Sequence, residues 1–168
     1  MNTTNLNAET GIKKLKELIE EINTCIFCTT LKTNDSSTCR PMKAAEVDEK
    51  GDIWFFSGLD SEKNKQIKAD KGVRLFFAHP GKSSYLVING EAEIIISPIK
   101  TEDLWSPLVQ TWFKEGKGDP NISFIRVRVK NAYYWDTDGN KMVNFVKMLA
   151  SAATGKVLVH GQEGSIEV

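Results

Sequence analysis

Ile12, Leu15, Ile19 and Ile22 recur at helical spacing with Lys and Glu between them, predicting an amphipathic helix over about residues 8–23. From Cys25 the pattern shortens. Strands are predicted at about 25–31, 38–47 and 52–57, separated by the polar turns Asn34-Asp35-Ser36-Ser37 and Asp48-Glu49-Lys50-Gly51. Ser61 opens a short helix to about Ala69, and Val73–Ala78 is a strand broken by His79-Pro80-Gly81-Lys82. Tyr85–Ser97 is a long strand whose internal Gly90 predicts a bulge or a close backbone approach. A helix is predicted over Thr101–Lys114, and a strand over Ile122–Tyr134. In that strand Ile125, Val127 and Val129 face one way and Arg126, Arg128 and Lys130 the other. A last helix is expected over about Lys141–Ala153.

Six or seven strands in meanders, three or four helices and no repeated β-α-β unit describe an antiparallel barrel or sandwich with peripheral helices, mainly β within the α+β class. At 168 residues the chain is the size of one domain and can bury its own core. It is read as a single domain, 1–168, with a flexible tail from about residue 154. Lys plus Arg equals Asp plus Glu at 22 each, so no basic excess points to nucleic acid. No apolar run is long enough for a membrane span, and Met1–Gly11 lacks a signal-peptide core, so a cytoplasmic location is expected. Three cysteines without a secretory signal do not describe a disulfide framework. Cys25 and Cys28 form a C-x-x-C on a strand, where positions three apart point to opposite faces, so these cysteines are expected to be ordinary thiols and no metal site is expected.

The candidate chemistry lies between residues 40 and 63. Ser61 and Lys63 sit at a helix start, where unpaired N–H groups and the helix dipole attract anions. Ser57 at the end of the preceding strand and Arg40 on a neighbouring strand would complete a phosphate clamp. Taken alone, Ser61 as a plain N-cap and Lys63 as a surface lysine is the simpler reading. Trp54, Phe55 and Phe56, with Pro41 and Met42 on the adjacent strand, supply an apolar wall, although alternation assigns at least half of such a run to the core. Wall and clamp together suit flavin mononucleotide (FMN). Trp105 and Trp112, seven apart, would share one helix face as packing residues or as a dimer surface. G-x-S-x-G, H-E-x-x-H and P-loop signatures are absent, and no side chain has a claim to acid–base catalysis.

The order of these pieces resembles the general stress protein 26 branch of the pyridoxamine 5′-phosphate oxidase-like flavoproteins. The resemblance rests on Arg40-Pro41-Met42, Gly51-x-Ile53-Trp54-Phe55-Phe56-Ser57, Ser61-x-Lys63 and Tyr85-x-Val87-x-x-Gly90-x-Ala92. It continues through Leu104-Trp105, Trp112-Phe113, Gly118-Asp119-Pro120 and Tyr134-Trp135-Asp136. It implies an FMN-binding split barrel, a Greek-key antiparallel β-barrel working as a homodimer with the flavin at the subunit interface. Arg40, Ser61 and Lys63 would then hold the phosphate with Ser57 nearby. Pro41, Met42, Trp54, Phe55 and Phe56 would back the cofactor, and Trp112, with Trp105, would approach the ring from the partner subunit.

The chain ends without the C-terminal arginine motif of the true oxidases, so vitamin B6 oxidation is not expected. The expected activity is that of an FMN-dependent oxidoreductase acting on a small substrate, with NADH or NADPH as electron donor. The alternatives are a flavin-binding stress protein without turnover (a sensor, carrier or scavenger) and a related barrel using the deazaflavin F420 or haem. His79 and His160 are not assigned as haem ligands.

Overall fold

The computed structural model describes residues 2–3, 8–32, 38–137 and 161–166. Among these the elements run β1 (Asn2–Thr3), α1 (Ala8–Ile22), β2 (Thr24–Cys28), β3 (Cys39–Lys43), β4 (Glu46–Val47), β5 (Ile53–Gly58), α2 (Glu62–Ala69) and β6 (Gly72–His79). They continue with β7 (Ser84–Ile95), α3 (Pro98–Leu104), α4 (Pro107–Gln110), β8 (Ile122–Thr137) and β9 (Gly161–Ile166). The predicted helix over 141–153 and His160 lie outside the described residues.

The sheet runs β1-β9-β8-β7-β6-β2-β3, and β5 joins it by pairing with β8. All pairings except β1 with β9 are antiparallel. The long strand β8 makes the curl. Its first part, Ile122–Val127, pairs with β5, while Ala132–Thr137 pairs with β9. The curled sheet is a split barrel, and β3 is left as an end strand. α2 bridges the split: its Gln66 meets Arg40 on β3, and its Asn64 meets Ser57 on β5. The register of β7 against β8 shifts between Asn89 and Gly90, the bulge expected at that glycine. A Cβ there would lie 2.5 Å from the Arg128 carbonyl oxygen, so only glycine fits the close approach.

Two apolar clusters form the interior. Leu15 and Leu18 of α1 close the barrel over Phe27, Phe55, Leu75, Phe77, Ile88, Ile125 and Val127, all fully buried or nearly so. Burial of such side chains, at about 25 cal/mol per Å² of apolar surface, is the main stabilising contribution. The second cluster lies outside β5, where Trp54, Phe113, Ile122 and Phe124 are covered by Leu104, Trp105 and Val109.

Several expectations change. The helix predicted over Thr101–Lys114 is two short helices. Ser97 and Ser106 cap them, each followed by proline at the first helical position, so Pro107 ends one and starts the next. Trp105 and Trp112 therefore do not share a helix face. The strand predicted over 38–47 is divided into β3 and β4, and that over 25–31 stops at Cys28. Cys28 and Cys39 are disulfide-bonded, while Cys25 is a free buried thiol pushed up by desolvation to about 12. Of the tail expected to be flexible, residues 161–166 form β9 against β8.

Candidate functional site

The candidate site sits at the N-terminal end of α2, where that helix crosses the split between β3 and β5. Ser61 occupies the N-cap position in extended backbone, but its hydroxyl makes no capping bond. It lies instead 3.3 Å from the Ser57 hydroxyl. Ser57 is buried and donates to Asn64 Oδ1 at 2.7 Å. Asn64 donates in turn to Ser123 Oγ at 3.0 Å, and Ser123 donates to the Ser57 carbonyl at 2.8 Å. This closed network ties α2 to β5 and β8. Asn64 is fully buried, so its polar atoms need these partners.

Arg40 comes from the opposite side of the split. Its guanidinium donates to Thr29 Oγ1 and to Gln66 Oε1, both at 2.9 Å. Thr29 also donates to Gln66 Oε1 at 2.6 Å, so one neutral amide oxygen gathers both. Thr38 donates to the Thr29 carbonyl at 2.5 Å, anchoring the start of β3 beside that threonine.

Among the described residues neither Arg40 nor Lys63 has a carboxylate in ion-pair contact. Desolvation lowers the Lys63 pKa first, and the Arg40 charge lowers it further, while Asp60 acts weakly the other way. Desolvation also lowers that of Arg40. Two partly buried cations, the Ser61 hydroxyl and the positive end of a helix thus come together with no carboxylate in ion-pair contact with either cation among the described residues. An anion with several oxygen acceptors would supply that counter-charge.

The remaining candidates divide. Pro41 is exposed beside Ile26, and Met42 packs partly buried against the barrel core. Trp54 is buried outside β5, where its indole donates to Asp48 Oδ2 at 2.9 Å and Lys100 lies 4.2 Å above the ring. Phe55 is fully buried within the barrel, edge-on to Phe27. Phe56 packs against Trp105, Phe113 and Phe124. The side chains of Trp54 and Phe55 are thus core rather than an open wall, because β5 is covered on both faces. Trp105 packs on Phe56 in the same cluster, whereas Trp112, in the turn after α4, is 78% exposed.

Sequence reasoning missed Gln66, Thr29, Asn64 and Ser123. Gln66 was within reach, since it lies three residues beyond Lys63 on the same helix surface. Asn64 lies three before the fully buried Ile67, and a polar side chain on the buried stripe of a helix marks an internal network.

Comparison with known proteins places the chain in a family. The chain is 24% identical over 139 residues to Protein bli-3 of Neurospora crassa, covering 75% of this chain and 66% of that one. It therefore spans just under two thirds of that relative. A general stress protein 26-type structure from Jannaschia sp. CCS1 superposes with a TM-score of 0.79 at 16% identity, covering 93% of this chain and 97% of the other. The general stress FMN/FAD binding protein of Xanthomonas citri superposes with a TM-score of 0.64 at 25% identity, covering 77% of this chain and 90% of the other. The family model described as pyridoxamine 5'-phosphate oxidase like matches residues 10–158, which run from within α1 through β8 and include Arg40, Ser61 and Lys63; the chain belongs to that family.

Proposed function

We propose that this chain binds FMN as a homodimer and acts as an FMN-dependent oxidoreductase on a small substrate. The observation that carries the reading is the pair Arg40 and Lys63 at the start of α2, neither with a carboxylate in ion-pair contact among the described residues. A phosphate monoester fits this donor set: guanidinium and ammonium supply charge, and the hydroxyl and helix start supply hydrogen bonds. The similarity, at 25% identity, to the general stress FMN/FAD binding protein of Xanthomonas citri supports a flavin nucleotide as the molecule carrying it.

Arg40, Lys63 and Ser61 hold the phosphate, while Ser57 and Asn64 position the helix that presents Ser61. Gln66 and Thr29 orient Arg40 without neutralising it. Pro41 and Met42, on the end strand β3, lie beside the ring, with strand backbone for its polar edge. When bound, FMN supplies the redox chemistry; the chain's part is to orient and shelter it.

A second copy completes the shelter. Ile26, Phe76, Val87 and Tyr133 are successive neighbours across β2, β6, β7 and β8, and Pro41 extends the row onto β3. Ile26 and Phe76 are 45% and 40% exposed, an apolar stripe of the kind subunits cover. Trp112, exposed on one protomer, would reach the ring held by its partner. Reduced nicotinamide is the proposed electron donor.

The test is titration of the purified chain with FMN, read by flavin fluorescence, with riboflavin as control. Saturable quenching by FMN and not riboflavin is expected. Arg40→Ala or Lys63→Ala should weaken FMN binding about tenfold or more, the size of a lost charge-assisted hydrogen bond. Equal binding of both flavins, or of neither, overturns the clamp. NADH or NADPH added to the loaded protein should then bleach the flavin absorbance; failure of both donors would overturn the assigned donor class.

A further inference from the structure

We propose that the Cys28–Cys39 disulfide is a thiol–disulfide exchange site, reduced by soluble low-molecular-weight thiols, whose redox state controls how firmly Arg40 is held. Three residues line up across neighbouring strands. Cys39 on β3 pairs with Cys28 on β2, and Cys28 pairs with Arg74 on β6. Directly opposed residues share a face of the sheet, so an arginine lies next to the disulfide. Arg74 itself reaches toward β7, where its Nε donates to Asn89 Oδ1 at 2.6 Å, and Asn89 donates to Asn131 Oδ1 at 2.9 Å. No carboxylate pairs with Arg74 among the described residues.

The two sulfurs differ. Cys39 belongs to an exposed position on an end strand, whereas Cys28 is buried. An incoming thiolate therefore attacks Cys39 Sγ, the Sγ–Sγ bond breaks, and Cys28 leaves as a thiolate. A second thiolate displaces Cys39 from the mixed disulfide. Two electrons and two protons reach the protein, giving two thiols, and the external thiols leave as their disulfide. Attack at the more accessible sulfur sets this direction of cleavage.

The consequence for the site follows from position. The disulfide joins the last residue of β2 to the first of β3. Thr29 and Thr38, bonded to each other, are the residues just inside the linked loop, and Arg40 follows Cys39 directly. Reduction removes the covalent tie at the place where Arg40 and its holder Thr29 are set. Through the phosphate contact assigned above, and resting on that reading, reduction also weakens FMN binding.

The experiment equilibrates the purified full chain across ratios of reduced to oxidised glutathione. It then counts thiols by alkylation and mass spectrometry, follows amide hydrogen exchange of β3, and titrates FMN. We expect Cys28 and Cys39 to gain and lose thiols reversibly in the folded protein, faster β3 exchange in the reduced form, and an FMN Kd weaker by about tenfold, a partly lost charged hydrogen bond. The proposal is overturned if the pair stays reduced at every ratio, if it yields only after unfolding, or if β3 exchange is the same in both forms. Redox-dependent β3 exchange with no FMN binding in either form would sustain the exchange site and overturn the flavin reading alone.

Discussion

Gln66→Glu isolates the feature on which the candidate site depends, the free charge of Arg40. The substitution replaces the amide nitrogen with oxygen and keeps the shape. Gln66 Oε1 already accepts from Arg40 at 2.9 Å and from Thr29 at 2.6 Å, so both bonds survive while the acceptor becomes a carboxylate. Two unit charges about 4 Å apart attract by about 4 kcal/mol at an effective dielectric of 20. Arg40 is only partly buried, so screening leaves the new pair closer to about 1 kcal/mol of added stability.

The phosphate must then compete for a guanidinium that already has its counter-charge. A hydrogen bond to a charged group contributes about 1.5–3 kcal/mol, and losing the lower figure raises Kd about tenfold. The assay is the FMN titration repeated on Gln66→Glu, with thermal unfolding of the unliganded protein alongside. Expected is an FMN Kd at least about tenfold higher with an unfolding midpoint equal to or above that of the parent. Undiminished FMN affinity in a folded Gln66→Glu protein would refute the reasoning, since it would mean that the charge of Arg40 is not what the ligand uses.

Two further substitutions test the scaffold beneath the site. Asn64→Ala removes the centre of the Ser57–Asn64–Ser123 network and leaves buried hydroxyls with fewer partners, so urea unfolding should show a loss of about 1–3 kcal/mol. Gly90→Ala places a Cβ 2.5 Å from the Arg128 carbonyl oxygen and 2.9 Å from Val127 Cγ1, at the bulge where β7 and β8 change register. It should destabilise by about 1–3 kcal/mol in the same assay, with overpacking as the cause.

Much of the frame was legible because it depends on local periodicity. The 8–23 helix and the inward set Ile125, Val127 and Val129 follow directly from spacing, and Gly90 announced its bulge. Ser97-Pro98 and Ser106-Pro107 also carried a readable cap-then-proline signal that divides the region predicted as one helix. What was not legible depends on contacts far apart in sequence. Ile53, Trp54, Phe55 and Phe56 are all apolar, so alternation could not say which faces an open cleft; α3 and α4 cover the outer face, and the barrel takes the inner one. The Cys28–Cys39 bond depends on the register of β2 against β3, which the intervening loop does not reveal. The roles of Thr29 and Gln66 emerge only when α2 is laid across the split.

The site itself is recognised less by which residues are present than by how their charges are arranged. The chain has equal numbers of cationic and acidic side chains, so a counter-charge is available wherever the fold needs one. Elsewhere partly buried cations receive it: Lys14 reaches Asp136, Lys100 reaches Glu46, and Arg126 reaches Glu93 and Asp52. At α2 the pattern reverses. Arg40 is held by an amide oxygen and a hydroxyl, Lys63 has no ion pair among the described residues, and the Arg40 charge adds to the desolvation that lowers the Lys63 pKa. Burying like charges together lowers stability unless an anion arrives to separate them. Their place beside an N-cap serine that caps nothing supports the proposal of a ligand that carries negative charge.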